Sequence, residues 1–361
     1  MSEFSTVQDA TAPGLPLMPG GAKSAAAQVY GSDPTGLICG YLFSPGVAGR
    51  AIDSAEALEW LARPAAATGN DFAWLHVNLS NASTVRWLHQ HFELSEMFFD
   101  ALNEGTRSSR IEFADNDLIA VVNDVLYDFS FDASHISTLW MSVDSRLLLS
   151  ARTKPLRSID RLRASAKNGE SFRTSVELLV HLLRDQADVL MQIVRNSISQ
   201  VDDIEDKLLA GRLDQRRGQL GKLRRVLVRL QRLLAPEPAA LFRLLNHPPG
   251  WMAETDVQEL RQSTEEFSGA INDISSLQER IKLLQEEIAA QVNEQNNRSL
   301  YVLTVVTVLA LPINILAGLF GMNVGGVPLA QDPGGFWIVV AIVFTFTLVA
   351  AWMVFFRGRD N

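Results

Sequence analysis

The sequence predicts an α+β protein with an N-terminal α/β domain, a long helical hairpin, a stalk helix and two C-terminal transmembrane helices. Short β-rich runs alternate with helical stretches between residues 30 and 170. Apolar residues recur every three or four positions through most of residues 171–320, which is the period of packed α-helices. Two uncharged apolar stretches, Leu300–Phe320 and Phe336–Phe356, are each long enough for a helix that crosses a bilayer.

Composition restricts the classes of protein to which the chain can belong. Its 361 residues allow roughly two or three domains. A net charge of −9 argues against a general nucleic-acid-binding surface, which needs basic residues to neutralise phosphates. The single cysteine, Cys39, excludes an internal disulfide and a thiolate zinc cluster and fits a reducing compartment. Residues 1–29 lack a signal-peptide pattern and are predicted to be a disordered cytoplasmic tail.

The predicted α/β domain spans residues 30–170. Five runs are predicted as strands: LICGYLF, FAWLHVNL, LIAVVNDVLYDF, STLWMSVDS and RLLLSAR. STVRWLHQHF and SEMFFDALNEG are predicted helices between them. No set of nucleophile, base and orienting partner emerges, so an enzyme is not predicted. His89 and His91 would point to different sides of a helix, and His76 is predicted to be a packed strand residue, so a metal site is not expected at these histidines.

Residues 171–252 predict a helical hairpin, and residues 253–320 predict one stalk helix. The hairpin arms are predicted at Ser171–Leu209 and Arg216–Leu245, with GRLDQRRGQ as the bend and NHPPG as the end. The stalk would be roughly 100 Å long at about 1.5 Å per residue, so most of it must stand outside the bilayer. Its predicted buried stripe is Phe267, Ile271, Ile274, Leu277, Ile281, Leu284, Ile288 and Val292.

Charge is unevenly distributed between the hairpin and the stalk. Residues 212–232 hold eight Lys or Arg and one acid, a net charge of +7. Residues 253–298 hold ten acids and four bases, a net charge of −6. This difference predicts pairing of the hairpin with the stalk through side chains such as Arg224, Arg225 and Arg229, screened at high salt. Two independently solvated faces are the alternative.

The two uncharged stretches predict two membrane crossings. The first belongs to the stalk helix, residues 321–335 form the external loop, and residues 336–356 form the second crossing before a short tail at residues 357–361. Arg298 precedes the first stretch, and Arg357 and Arg359 follow the second, whereas the loop carries no Lys or Arg. By the positive-inside rule, both chain ends face the cytoplasm. The alternative is a soluble core with two buried helices.

Polar residues share one face of the first crossing. Steps of three and four residues connect the members of this stripe, which are Asn297, Leu300, Thr304, Thr307, Leu311, Asn314 and Gly318. Amides and hydroxyls that face lipid lose their water without replacement, so these side chains are expected to face protein or water. Several copies around an axis would line a narrow pore, with Leu300 and Leu311 as apolar collars. Alternatively, the threonines bond within their own helix and Asn314 joins helices.

The stretch GLFGMNVGGVP ends this helix. Its glycines free the backbone where the helix stops, and Asn323 offers a neutral amide oxygen. A ring of Asn323 side chains could hold a hydrated divalent cation through its water shell and still release it. Pro312 removes one helical hydrogen bond and could bend the helix. Asp332 is the one acid of the loop, at the predicted pore mouth, so cation attraction there is expected to be modest.

The run LPINILAGLFGMN, followed by a loop, an apolar stretch and a short basic tail, resembles the CorA family of divalent metal cation transporters. Gly321-Met322-Asn323 matches the family signature, and it stands at the expected end of the penultimate membrane helix. The loop sequence GGVPL looks closer to the ZntB branch, which is linked with zinc, than to the magnesium branch with its acidic MPE. The resemblance covers nearly the whole chain, and its detailed match is confined to about residues 295–330.

This resemblance implies a funnel-shaped homopentamer in the inner cell membrane, with the first membrane helix lining a central pore and the second outside it. Gly321, Met322 and Asn323 would form the selectivity ring. The cargo would be zinc, or magnesium, cobalt or nickel as elsewhere in the family, with coupling to protons proposed for the ZntB branch and no resident cofactor. Asn314 departs from the family, which commonly has Thr there. A membrane-anchored signalling or scaffold protein is the alternative from another class.

Overall fold

The computed structural model describes residues 31–105, 109–114, 117–132, 134–210, 216–322, 325–326, 328 and 332–357. The chain divides into two compact units. One unit consists of Met1–Gln200 with Gly221–Gln278, and the other of Val201–Leu220 with Glu279–Asn361. The division falls inside the predicted hairpin, and the predicted domain boundaries stay predictions.

The first unit contains a seven-stranded mixed sheet in the order β2-β1-β3-β7-β6-β5-β4. Neighbouring strands are antiparallel except for β3 and β7, which are parallel. Apolar runs that are buried on both faces form the middle of the sheet, which confirms the five predicted strands. The strands are β1 Leu37–Phe43, β2 Arg50–Ile52, β3 Phe72–Asn78, β4 Arg110–Ala114, β5 Asp117–Val125, β6 Ile136–Val143 and β7 Leu147–Arg152.

Helices cover both faces of this sheet, so the unit has two apolar layers with the sheet between them. Trp60, Trp87 and Phe98 pack on one face, and Phe172 and Leu241 belong to the cluster on the other. The helices that follow or precede the strands are α1 Ser54–Leu61, α2 Ala65–Thr68, α3 Thr84–His91, α4 Glu96–Glu104 and α5 Arg157–Lys167. The longer helices are α6 Ser175–Leu209, α7 Arg216–Leu234, α8 Pro236–Asn246, α9 Glu254–Phe320 and α10 Gly335–Arg357.

The second arm of the hairpin differs from its prediction as one helix over Arg216–Leu245. The structure ends α7 at Leu234 and begins α8 at Pro236. Proline has no backbone N–H and clashes with the preceding turn, so it ends a helix and suits the first position of the next one. The hydrogen bond from the Ala235 amide to the Gln231 carbonyl, 2.8 Å long, is the last of α7.

The first arm begins four residues later than the predicted Ser171. Ser171 makes an isolated antiparallel bridge with Ala48, which holds this segment extended. The Thr174 hydroxyl oxygen then accepts a hydrogen bond from the Glu177 amide at 3.0 Å and caps the first turn of α6. Such a cap satisfies an amide that the helix itself leaves unpaired. The cap therefore fixes the helix start at Ser175.

The predicted buried stripe of the stalk is confirmed over most of its length. Phe267, Ile274 and Ile281 are at most 1% exposed, and the stripe continues to Ile288, whereas Val292 is half-buried. In the first unit, the Gln231 amide of α7 donates to the Ser275 hydroxyl of α9 at 2.6 Å. The stripe therefore packs against its neighbours as an amphipathic helix should.

Ion pairs join the stalk to the first arm of the hairpin, whereas the charge-based prediction concerns the basic second arm. In the second unit, the basic Arg280 of α9 contacts Asp202 at 2.7 Å and also Glu205, both on the first arm α6. These pairs do not involve residues 212–232, so the predicted pairing of the basic second arm with the stalk stays a prediction.

His76 is a packed residue of β3, as predicted. It is 2% exposed, its Nδ1 lies 2.9 Å from the Ser150 hydroxyl, and its Nε2 accepts a hydrogen bond from Arg152 Nε at 3.0 Å. Burial, together with the Arg152 charge, lowers the pKa of His76 well below its usual value. The neutral ring is therefore part of the sheet core.

Two buried carboxyl groups lie between the sheet and the helices of the first unit: Asp124 on β5 and Glu237 on α8. Gln186 of α6 donates to the Asn123 carbonyl at 2.6 Å and to Glu237 Oε2 at 3.3 Å. Glu237 Oε1 has no hydrogen-bond partner among the described residues. Burial raises the pKa of Glu237 well above its usual value and raises the pKa of Asp124 to about 6. Burial therefore favours the neutral form of Glu237.

Candidate functional site

The C-terminal third of α9 and the helix α10 expose their apolar side chains. Of the 28 large hydrophobic residues that are exposed in the described structure, 21 lie between Leu300 and Trp352. Leu303 and Trp337, for example, are 62% and 71% exposed. Soluble proteins rarely leave so large an apolar surface uncovered. This surface fits a hydrocarbon environment.

One described helix, α9, is long and apolar enough to cross a membrane, and its apolar window is not buried within the chain. The helix α10 has 23 residues, and its described apolar part is Gly335–Val349. That part is too short to count as a crossing by itself, so the second crossing stays a prediction. A buried soluble core, the alternative, does not fit the exposure of these side chains.

The predicted polar stripe is an exposed face of α9. All of its members are exposed: Asn297, Leu300, Thr304, Thr307, Leu311, Asn314 and Gly318. At about 100° per residue, these positions fall within a band of roughly 100° on the helix surface. The structure thus places the seven residues on one face, where no other part of the described chain covers them.

The threonine hydroxyls bond within their own helix. Thr304 Oγ1 donates to the Leu300 carbonyl and Thr307 Oγ1 to the Leu303 carbonyl, each at 2.8 Å. This is the alternative that the sequence left open. It does not prevent the hydroxyl oxygens from lining a pore. A hydroxyl that donates its hydrogen to the backbone still has two lone pairs that can accept hydrogen bonds from water. The face therefore carries acceptors without competing hydroxyl donors.

The opposite side of α9 is its partly covered side. Val305, Leu309, Pro312, Ile313 and Leu316 are half-buried, and they lie about 165° around the helix from the polar stripe. Ile313 of this side, with Ala317 and Phe320 of the following turns, and the half-buried residues of α10 line a common apolar cavity of about 800 Å³. The members from α10 include Val339, Val343 and Thr347. The helix α10 is therefore next to the side of α9 that lacks the polar stripe.

The end of α9 is described as far as Met322. The Gly321 amide donates to the Ala317 carbonyl at 2.9 Å, and a Cβ atom at Gly321 would lie 3.0 Å from that oxygen. Glycine therefore fits this last turn better than any larger residue. Gly321 and Met322 are both exposed. Asn323, the predicted outer-sphere cation ligand, lies outside the described residues.

Asp332, the predicted acid of the pore mouth, forms the turn before α10. Its Oδ1 accepts a hydrogen bond from the Gly334 amide at 2.9 Å, and its carbonyl accepts one from the Gly335 amide at 3.0 Å. A carboxylate here also faces the positive end of the helix dipole. The side chain is exposed, so it has a structural role that does not prevent contact with a cation.

No group of three or more His, Cys, Asp or Glu residues suited to a metal ion occurs in the part of the chain that the structure describes. His89 stacks on Phe99 with ring centroids 3.5 Å apart, whereas His91 Nδ1 lies 3.0 Å from the Trp87 carbonyl. The two histidines thus have separate partners. The candidate site therefore consists of neutral oxygens on α9.

Known proteins are similar to this chain over most of their length. Residues 69–357 match the family described as CorA-like Mg2+ transporter protein. The divalent cation transporter CmaX of Pseudomonas aeruginosa is 28% identical over 340 residues, which cover 92% of this chain and 99% of CmaX. The zinc transport protein ZntB of Yersinia enterocolitica is 27% identical over 291 residues, which cover 80% of this chain and 88% of ZntB.

Solved structures agree. Full-length CmaX aligns with a TM-score of 0.74 and 27% identity over 91% of this chain and 99% of CmaX. The CorA magnesium transporter of Methanocaldococcus jannaschii aligns with a TM-score of 0.70 over 87% of this chain and 96% of its own, and at 20% identity it supports the fold alone. The sequence match covers both the α/β domain and the apolar helices, so the chain belongs to the CorA family.

Proposed function

We propose that this chain forms a homopentameric pore for divalent metal cations, with zinc as the principal cargo. The observation that supports it best is the exposed polar face of α9 on the side away from α10. In a ring of copies, this face would point to the axis, and α10 would lie outside. Asn297, Thr304, Thr307 and Asn314 would then supply the polar lining, and Leu300 and Leu311 would form apolar collars.

The neutral oxygens suit a cation that keeps its water. A divalent ion sheds its first water shell reluctantly, so direct ligands that bind it tightly would also slow its release. Amide and hydroxyl oxygens can instead accept hydrogen bonds from the bound waters. We propose that Gly321, Met322 and Asn323 form the outer selectivity ring, with Asn323 as the outer-sphere ligand and Asp332 at the mouth.

The names of the relatives support a divalent cargo and leave its identity to be tested. CmaX is named a divalent cation transporter, ZntB a zinc transport protein, and the family description names Mg2+. The loop GGVPL favours zinc in this proposal. The same pore with magnesium, cobalt or nickel as cargo is the alternative. Following the positive-inside rule, both termini are placed in the cytoplasm, with the helices α9 and α10 crossing the inner membrane.

Zinc flux into liposomes that contain the purified full chain tests the proposal. We expect uptake of zinc that Asn323→Ala lowers at least about tenfold, which corresponds to about 1.4 kcal/mol. Thr345→Val on the exposed side of α10 is the control, because it removes a hydroxyl that also bonds to its own helix at 2.8 Å. It should leave the flux unchanged.

Competition with magnesium, cobalt and nickel at two pH values identifies the cargo and any coupling to protons. Magnesium flux without zinc flux would show that magnesium is the cargo, and it would leave the proposed pore unchanged. If neither zinc nor magnesium passes through the unmodified protein and Asn323→Ala changes nothing, the chain is a membrane-anchored scaffold or signalling protein instead.

A further inference from the structure

The helix α7 has an exposed face with two unpaired arginines around one valine. Arg225, Val228 and Arg232, here called the basic patch, follow each other at intervals of three and four residues on one side of the helix. The opposite side, with Leu223, Leu227 and Leu230, is buried. Neither arginine has an ion-pair partner within the described chain, so both charges face solvent.

The helix α9 has an exposed face of opposite sign. Glu279, Leu283 and Glu286, here called the acidic patch, are spaced by four and three residues. Glu279 contacts Lys282 at 3.1 Å along the helix surface. Such exposed pairs contribute little to stability, so Glu279 remains available for a second cation. Arg280 points elsewhere, toward Asp202 and Glu205.

Each patch is centred on an unusual apolar side chain. Seven large hydrophobic residues outside the apolar helices are exposed among the described residues, and Val228 at 43% and Leu283 at 57% are two of them. A single exposed Val or Leu needs no explanation by itself. An exposed apolar residue flanked on one helix face by two equal charges, in both patches, is the pattern of a small interface with a polar rim.

We propose that the basic patch of one copy packs against the acidic patch of a neighbouring copy, with the two helices antiparallel. The spacing supports this pairing. Read in opposite directions, the two patches have the same order of intervals, so Arg232 meets Glu279, Val228 meets Leu283 and Arg225 meets Glu286. The contact is heterologous, since it joins two different surfaces, and such a contact gives a ring when its repeated rotation closes.

This inference rests on the proposed homo-oligomeric pore and names a contact that would help to assemble it. An exposed ion pair contributes little to binding, so a single contact is weak. A ring repeats the contact at every subunit, and burial of the central Val–Leu pair excludes water from the flanking charges. The ring should therefore depend on salt, because exposed charges are screened.

Cross-linking of the full chain in detergent tests the geometry. Val228→Cys combined with Leu283→Cys is expected to give, on mild oxidation, a ladder of linked copies up to the full ring. A disulfide requires Cα atoms within about 7 Å, so the ladder reports direct contact. Either substitution alone should give no ladder, because Cys39 is not on either patch. A double variant that assembles but forms no ladder would overturn the proposal.

Charge reversal tests the electrostatics. Arg225→Glu with Arg232→Glu is expected to abolish the ladder in the cysteine background at low salt, and adding Glu279→Arg with Glu286→Arg should restore it. Arg243→Glu, a charge reversal at an exposed site on α8, is the control and should have no effect. Failure of the exchange to restore the ladder would contradict the pairing. If the unmodified chain is monomeric and passes no zinc, that result contradicts the proposed function itself. Failure of the ladder in an assembled, zinc-conducting protein contradicts only the pairing of the patches.

Discussion

Replacing Asn314 with Leu is expected to lower zinc flux about a hundredfold while the assembled particle stays intact. The side-chain amide of Asn314 is exposed in the middle of the apolar part of α9 and has no hydrogen-bond partner among the described residues. Leu has the same branched skeleton of side-chain heavy atoms as Asn, and it suits an exposed position of an apolar helix, so folding should not change. What the substitution removes is a ring of amides that faces the proposed path.

The size of the effect follows from the hydrogen bonds that the passing ion would lose. A net hydrogen bond contributes about 0.5 to 1.5 kcal/mol. If two or three amides of the ring bind the water shell at once, their loss raises the barrier by about 3 kcal/mol, which corresponds to about a hundredfold in rate. An apolar ring also favours dewetting of a narrow pore.

Initial zinc flux into liposomes, normalised to the amount of assembled protein, is the measurement. Asn314→Thr should retain most of the flux, because the hydroxyl keeps an acceptor at this position. The exposed Thr345 of α10 provides the control, since Thr345→Val removes a polar group from the outer helix. Full flux through assembled Asn314→Leu protein would show that α9 does not line the path with this face.

The middle of the sheet could be predicted from the sequence, and its edges could not. Strands such as β5, with eight buried residues in a row, have a strong apolar signal. The strand β2 has three residues, and β4 carries Arg110 and Glu112 at the sheet edge, so neither has an apolar run. Pro236 and Pro238 indicate a break in the second arm of the hairpin. The apolar spacing of a helix continues across them, so the sequence predicts one helix there.

The face of the candidate site could also be predicted, because a spacing of three and four residues fixes which side chains share a helix side. The position of this face relative to α10 could not be predicted. It depends on which apolar residues of two equally apolar helices contact each other. The Arg280 contacts illustrate the same limit for charge. Composition gives the net charge of a helix, whereas a single well-placed side chain determines its partners.

Glu237 could not be recognised as unusual from the sequence, because an acid in the first turn of a helix is normally exposed and favourable there. The structure buries Glu237 completely next to Gln186, and the charge of nearby Asp124 also raises its pKa. Replacing Glu237 with Gln is expected to stabilise the protein at neutral pH. The amide keeps the shape of the neutral acid and cannot ionise.

The dependence on pH follows from proton binding. The pKa of Glu237 is raised in the folded state, so above its unfolded value of 4.5 the unfolded chain gives up a proton that the folded chain retains. The native protein therefore loses stability as the pH rises, at about 1.4 kcal/mol per pH unit from this group, until the folded pKa is reached. Asp124 acts in the same direction between its usual 3.8 and about 6.

Thermal unfolding of the full chain in detergent, followed at about pH 5 and about pH 8, measures the difference between Glu237→Gln and the unmodified protein. The advantage of the variant should be smaller at the lower pH and larger at the higher one, because only the unmodified chain must retain a proton that the solution removes from the unfolded state. Glu93→Gln removes an exposed carboxylate and should show no such trend. An equal advantage at both pH values would mean that Glu237 is ionised in the fold, which its complete burial and unpartnered Oε1 argue against.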